Sequence, residues 1–238
     1  MLDVKNKNFI VTGATSGIGR LLTLRLLELG ANVAFCGRSE SKLDKLVSEL
    51  SEFDSQIYYQ AFDATNFELI EQFVASSIRQ LGHVDVLVNC AGANTSRSTI
   101  ADLSVSDLMG LVQLNMLSPF VFMQQAYNTS MKSRGEGIII NVLSTVCDFS
   151  NEGIGAYTAS KAGMDALTKV FRKEAREHRV KVCAIYPGGV DTPFRAAERP
   201  EYLHPEQVVN AILFMASQKD ISSVDELVIR PLVEKNYC

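Results

Sequence analysis

The 238-residue chain has no tryptophan, 6 prolines and 3 histidines. His83, His178 and His204 are far apart and none belongs to a metal-spaced motif, which argues against a zinc site or any other resident metal. The cysteines Cys36, Cys90, Cys147, Cys183 and Cys238 are odd in number and form no CxxC pair, and the first four sit in apolar, strand-like surroundings. They read as small buried hydrophobes in a reducing compartment, with the cytoplasm as the expected location. The segment Met1 to Lys7 is charged and lacks the apolar core of a signal peptide. No apolar run is expected to approach the roughly 18 residues that cross a bilayer, so no membrane partner is expected. Lysines and arginines are scattered and the net charge is −4, which leaves no basic stripe for a nucleic acid.

What is present is an ordinary globular composition, 47% hydrophobic and 21% charged. Apolar strand-like runs alternate with helical patterns along the chain. Strands are expected at 8–12, 32–36, 57–62, 84–88, 137–143, 180–186 and 226–229. Helices are expected at 21–29, 40–50, 67–81, 107–130 with an interruption near Pro119, 157–178 and 205–217. Strands joined by helix-length crossovers imply an α/β fold, a Rossmann-type doubly wound sheet of about seven parallel strands with helices on both faces. Residues 1–238 read as a single domain whose cofactor half spans about 1–143. The catalytic and substrate part, about 144–238, is not a separate domain.

Two stretches carry chemistry. The turn after the first strand reads Thr12-Gly13-Ala14-Thr15-Ser16-Gly17-Ile18-Gly19. Its glycines permit close backbone approach to a pyrophosphate, and the helix that follows offers free N–H groups; a turn that merely packs strand on helix is the plainer alternative. Farther on, Tyr157 and Lys161 lie four residues apart, on one face if the segment is helical. A phenol is a poor acid or base near neutrality, and a fixed ammonium beside it favours the phenolate.

These stretches resemble the short-chain dehydrogenase/reductase family, and its other motifs follow in order: Asn89-Cys90-Ala91-Gly92, similar to NNAG but with Cys90 for the second asparagine; Ser144, thirteen residues before Tyr157; and Pro187-Gly188-Gly189-Val190-Asp191-Thr192, similar to PGxVxT. The resemblance implies hydride transfer between a nicotinamide and a carbonyl or alcohol, with Asn115, Ser144, Tyr157 and Lys161 catalytic. Cofactor contacts are implied for Gly13, Thr15, Ser16, Gly17, Ile18, Gly19, Asp63, Asn89, Ala91, Gly92, Pro187, Gly188, Val190 and Thr192, together with Tyr157 and Lys161. Arg38, where NAD users of the family carry an acid, implies NADP(H) in preference to NAD(H), although a plain surface arginine is its alternative. An oxidising alcohol or sugar dehydrogenase, a non-catalytic NADP(H) sensor and an S-adenosylmethionine-dependent transferase are the competing functions. A homodimer or homotetramer built on the two long helices is expected by analogy. Residues 194–204 are the expected lid over the substrate, with Phe194, Arg195, Arg199 and Tyr202 as candidate contacts.

Overall fold

Side chains along a strand alternate between the two faces of its sheet, and a strand apolar at every position must be covered on both. The computed structural model describes residues 3–50, 56–194 and 198–235, and in it β1 (Asn8–Thr12), β4 (Val86–Asn89) and β5 (Gly137–Val142) are buried along their whole length. With β2 (Asn32–Gly37), β3 (Ile57–Ala61), β6 (Val180–Pro187) and β7 (Glu226–Ile229) they form one seven-stranded sheet in the order β3-β2-β1-β4-β5-β6-β7. Every pairing is parallel.

The helices are α1 (Gly17–Glu28), α2 (Glu40–Ser48), α3 (Phe67–Leu81), α4 (Val105–Val112), α5 (Ser118–Ala126), α6 (Lys132–Arg134), α7 (Gly155–Ala175) and α8 (Pro205–Ala216). The α1, α2 and α8 helices cover one face through Leu22, Leu26, Leu43, Leu46 and Ile212, which pack on Phe9, Val11, Phe35 and Val88. The other face is covered by α3, α5 and α7, where Ile70, Phe73, Phe122 and Met164 meet Ile10, Ala34, Leu87 and Ile139. Each of these buried Val, Leu, Ile, Phe and Met side chains contributes about 1.5–3 kcal/mol relative to exposure. A polar stitch runs through the second layer. Asn89 Nδ2 donates to Asn141 Oδ1 (2.9 Å), and Asn141 Nδ2 donates to Thr168 Oγ1 (2.9 Å) on α7.

Two expectations change. The interruption foreseen near Pro119 does not break the helix, because α4, α5 and α6 run on through π-helical turns at Gln113–Leu117 and Tyr127–Met131. Pro119 lies in the first turn of α5, where its missing N–H is absorbed by the widened turn. The resulting rod, Val105–Arg134, is 30 residues long, with a mean hydropathy of 1.3 over an 18-residue window that is 28% buried. By length and composition it is a span-sized apolar stretch, contrary to the expectation that none exists. It packs against α3 and α7. Arg195 and Cys238 lie outside the described residues.

Candidate active site

The strand order reverses between β1 and β4, and open parallel sheets bind ligands in the crevice at the carboxyl ends of the strands beside such a reversal. The glycine turn stands there. Gly13 has φ +72°, and a Cβ on it would lie 2.9 Å from the Ala91 backbone, while one on Gly19 would lie 2.5 Å from the Gly13 carbonyl oxygen. Ser16 precedes α1 in extended backbone and makes no side-chain cap, and the first turn of α1 carries no acidic residue. The positive end of that helix is therefore neither capped by Ser16 nor neutralised from within its own first turn.

A cleft of about 470 Å³ opens at this point, walled by Thr15, Ser16, Gly17, Arg20, Lys42, Asp191 and Thr192. A narrow glycine turn and an uncapped helix end fit the diphosphate part of a dinucleotide, and two bases on the same wall add positive charge for a further phosphate. Arg20 is ion-paired with Glu49. Lys42 went unnoticed in the sequence; it lies in the first turn of α2, shortly after Arg38 at the end of β2. Arg38 is exposed at the end of β2 and is not part of this wall; its charge acts on Asp63. Asp63 accepts from the backbone N–H and hydroxyl of Thr65, both at 2.9 Å. The backbone hydrogen bond is the main cause of its lowered pKa, with Arg38 adding to it.

The end of β4 is tied to β1 by Thr12, whose hydroxyl accepts from the N–H groups of Cys90 (3.1 Å) and Ala91 (3.0 Å). Thr12 was also missed, since a threonine closing a strand carries no signal of its own. Asn89 turns its amide nitrogen inward, donating to Asn141 Oδ1 and to the Pro119 carbonyl (3.4 Å), while its own Oδ1 is buried without a hydrogen-bond partner among the described residues. Burial pushes the Cys90 thiol up to about 12, opposed by the Lys161 charge. Gly92 opens the space that Lys161 and Asn115 use: a Cβ there would sit 3.0 Å from Asn115 Oδ1 and 3.5 Å from Lys161 Nζ.

Asn115 lies in the first π-helical turn, 1% exposed. Its Oδ1 accepts from Ala93 N (2.9 Å), and its Nδ2 donates to the Ala93 carbonyl (2.9 Å) and to Ser160 Oγ (3.1 Å). On α7, Lys161 is buried, and its Nζ donates to the Val142 carbonyl at 2.8 Å. Desolvation lowers its pKa from 10.5 to about 8, opposed by the neighbouring Cys147 and Cys90 thiols. Ser144 follows β5 two residues after Val142 and caps a short 3-10 turn by accepting from Val146 N (3.3 Å). Tyr157 begins α7, 8% exposed, and packs with Leu111, Val146 and Ile154. The Phe194 ring stands 5.9 Å from that of Tyr157.

The Pro187–Thr192 loop closes the crevice from β6. Gly188 N donates to the Ile229 carbonyl (2.8 Å), Val190 is buried, and Thr192 lies across from Gly17, where a Cβ would be 3.4 Å from Thr192 Cβ. Of the lid candidates, Phe194 reaches Tyr157, Tyr202 packs on Gly189, and Arg199 pairs with Glu201 at 3.7 Å.

Comparison with known proteins agrees with this geometry. A family model described as short chain dehydrogenase matches residues 7–203. An uncharacterized oxidoreductase of Staphylococcus haemolyticus is 30% identical over 237 residues, covering 98% of this chain and 100% of that protein. Among solved structures, an alcohol dehydrogenase from the archaeon Thermococcus sibiricus complexed with 5-hydroxy-NADP superposes with a TM-score of 0.87 at 25% identity, covering 96% of this chain and 98% of that one. A metagenomic short-chain oxidoreductase in complex with NADP gives a TM-score of 0.84 at 28% identity, with 97% and 99% covered. The seven-stranded parallel sheet, the glycine turn beside its reversal and the match over residues 7–203 together make this chain an oxidoreductase of the short-chain dehydrogenase family.

Proposed function

We propose that the protein reduces a small or chain-like carbonyl compound to an alcohol with NADPH. One observation carries this reading: Lys161 Nζ donates to the Val142 carbonyl, so α7 is docked against the end of β5, two residues before Ser144 and with Tyr157 one helical turn back along α7. A proton donor, a hydroxyl and an ammonium thus share one end of the sheet. The nicotinamide, when bound, supplies the hydride. Tyr157 donates the proton to the developing alkoxide, and Ser144 hydrogen-bonds the same oxygen. The Lys161 ammonium stabilises negative charge at the phenol and would hold the cofactor ribose. Asn115 holds the Ala93 backbone and Ser160 in place beside it.

The preference for NADPH is supported by Arg38, by Lys42 on the cleft wall, by the lack of an acid in Cys36-Gly37-Arg38, and by the NADP ligands of the two solved structures. Arg199 is engaged by Glu201, which weighs against a carboxylate receptor in the described part of the lid and towards an apolar group beside Phe194. An oxidative alcohol dehydrogenase is the second reading, favoured by the Thermococcus sibiricus neighbour.

Assembly into a homodimer is part of the proposal. A groove of about 370 Å³ between α5 and α7, lined by Phe120, Met123, Tyr127, Val170 and Phe171, leaves Val170 56% exposed and suits the same face of a second copy. The free thiols of Cys36, Cys90, Cys147 and Cys183 suit a cytoplasmic location. The test is NADPH and NADH oxidation over small ketones, diketones and 3-oxoacyl thioesters, with Tyr157→Phe in parallel. Turnover with NADPH in the wild type, lost in Tyr157→Phe while NADPH still binds, is expected; equal rates in the two proteins refute the assignment.

A further inference from the structure

The Pro187–Thr192 loop is gripped from two sides by segments that its own sequence does not reveal. On one side the chain after β7 turns back. Gly189 N donates to Glu234 Oε1 at 2.8 Å, and the place of a Gly188 Cβ is filled by the Glu234 carboxylate, with Pro231 Cδ 3.0 Å away. Arg230 stands beside this carboxylate as an ion pair: its Nε lies 3.6 Å from Glu234 Oε2, and its Nη2 donates to the Glu234 backbone carbonyl at 3.2 Å. The two side chains are only 16% and 19% exposed, so the pair is little screened by solvent. On the other side the lid returns. The Tyr202 ring occupies the space of a Gly189 Cβ, at 2.5 Å, and Leu203 N donates to the Gly189 carbonyl at 3.0 Å. Asp191 N donates to the Leu203 carbonyl (2.9 Å), and Asp191 Oδ1 accepts from Arg199 N (2.9 Å).

Both peptide groups of the glycine pair therefore have partners outside the loop, and among the described residues the charged one is Glu234. A carboxylate on a backbone N–H makes a charge-assisted bond, stronger than the neutral bonds along the rest of the loop. Two residues farther on, Val190 gives way to Asp191 and Thr192, which wall the cleft opposite Gly17. Val190 and Asp191 are the two residues between Gly189 and Thr192, a short lever between the Glu234 anchor and the cleft.

We infer that Glu234 is a positioning residue for the cofactor site: through Gly189 it sets the height of the Pro187–Thr192 loop over the cleft, and the C-terminal segment thereby tunes cofactor affinity. The inference rests on the reading that this loop faces NADPH. Gly188 and Gly189 are both glycine because a side chain at either position would displace Glu234 or Tyr202.

The experiment compares wild type, Glu234→Ala and Glu234→Gln by amide hydrogen exchange over residues 187–192, by NADPH titration and by steady-state kinetics. In Glu234→Ala the Gly189 amide is expected to exchange about tenfold faster and the Kd and KM for NADPH to rise about tenfold, the loss of one charge-assisted bond, while kcat changes by less than about twofold. Glu234→Gln keeps an oxygen acceptor for Gly189 N and restores most of the affinity. If Glu234→Ala does not fold, Glu234→Asp, one methylene short, is read in the same way. Unchanged exchange and affinity in the shortened variant overturn the inference, as does a lowered Tm without a change in KM, or a Glu234→Gln protein as impaired as Glu234→Ala. The exchange measurement needs no cofactor, so a wild type that fails to bind NADPH removes the functional reading and leaves the Gly189 anchor to be decided by exchange.

Discussion

Replacing Lys161 with methionine should make the protein more stable at neutral pH. The ammonium is buried, and desolvation brings its pKa from 10.5 to about 8. An unfolded chain keeps that proton up to about pH 10.5, whereas the folded chain releases it near pH 8. Below pH 8 folding therefore carries the full cost of burying the charge, about 3 kcal/mol, and the cost fades as pH rises from about 8 to 10.5. Methionine removes the charge at similar length. It also leaves the Val142 carbonyl without its 2.8 Å donor, which costs about 1 kcal/mol. The net gain at pH 7 is about 2 kcal/mol, or a Tm higher by about 4–8 °C for a chain of this size. By pH 10.5 the gain is gone and the variant is weaker by about 1 kcal/mol. Urea unfolding of the cofactor-free proteins at pH 7 and pH 10 measures the difference. A Lys161→Met protein less stable than wild type at pH 7, or a difference that does not shrink with pH, refutes the reasoning. The same variant is expected to lose turnover, a stability gained at the expense of function.

Asn141→Leu removes the acceptor of Asn89 Nδ2 and the donor to Thr168 in a site 1% exposed, and a loss of about 2–4 kcal/mol in urea unfolding is expected. Val170→Asp places a charge in the apolar groove between α5 and α7; if the proposed dimer forms through this face, sedimentation should show the wild type as dimer and the variant as monomer, with the melting temperature nearly unchanged. Lys42→Ala should raise the KM for NADPH about tenfold and leave that for NADH unchanged, measured with any accepted carbonyl.

Much of this could be read along the chain. Periodicity located every strand within a few residues; the central ones stood out because a buried parallel strand must be apolar on both faces, as Ile138, Ile139 and Ile140 are. Helix beginnings were harder. The α1 helix starts at Gly17, inside the glycine turn, rather than at Leu21 where its apolar pattern becomes dense. The π-helical turns were invisible to a 3.6-residue period, and the helix was read as interrupted at Pro119 because a proline removes a backbone donor, whereas the π turn before it lets one rod run on.

The sequence by itself determined the sheet, the glycine turn and the order of the motifs, since these depend on local backbone freedom and on alternation of burial. Contacts between distant segments were left to the tertiary structure. It placed Asn89 in a core network with Asn141, set Thr12 under Cys90 and Ala91, put Lys42 on the cleft wall, and brought Glu234 and Tyr202 onto the two glycines of the Pro187–Thr192 loop. Spacing along a chain says which side chains share one element's face, and only the packing of elements says which faces meet.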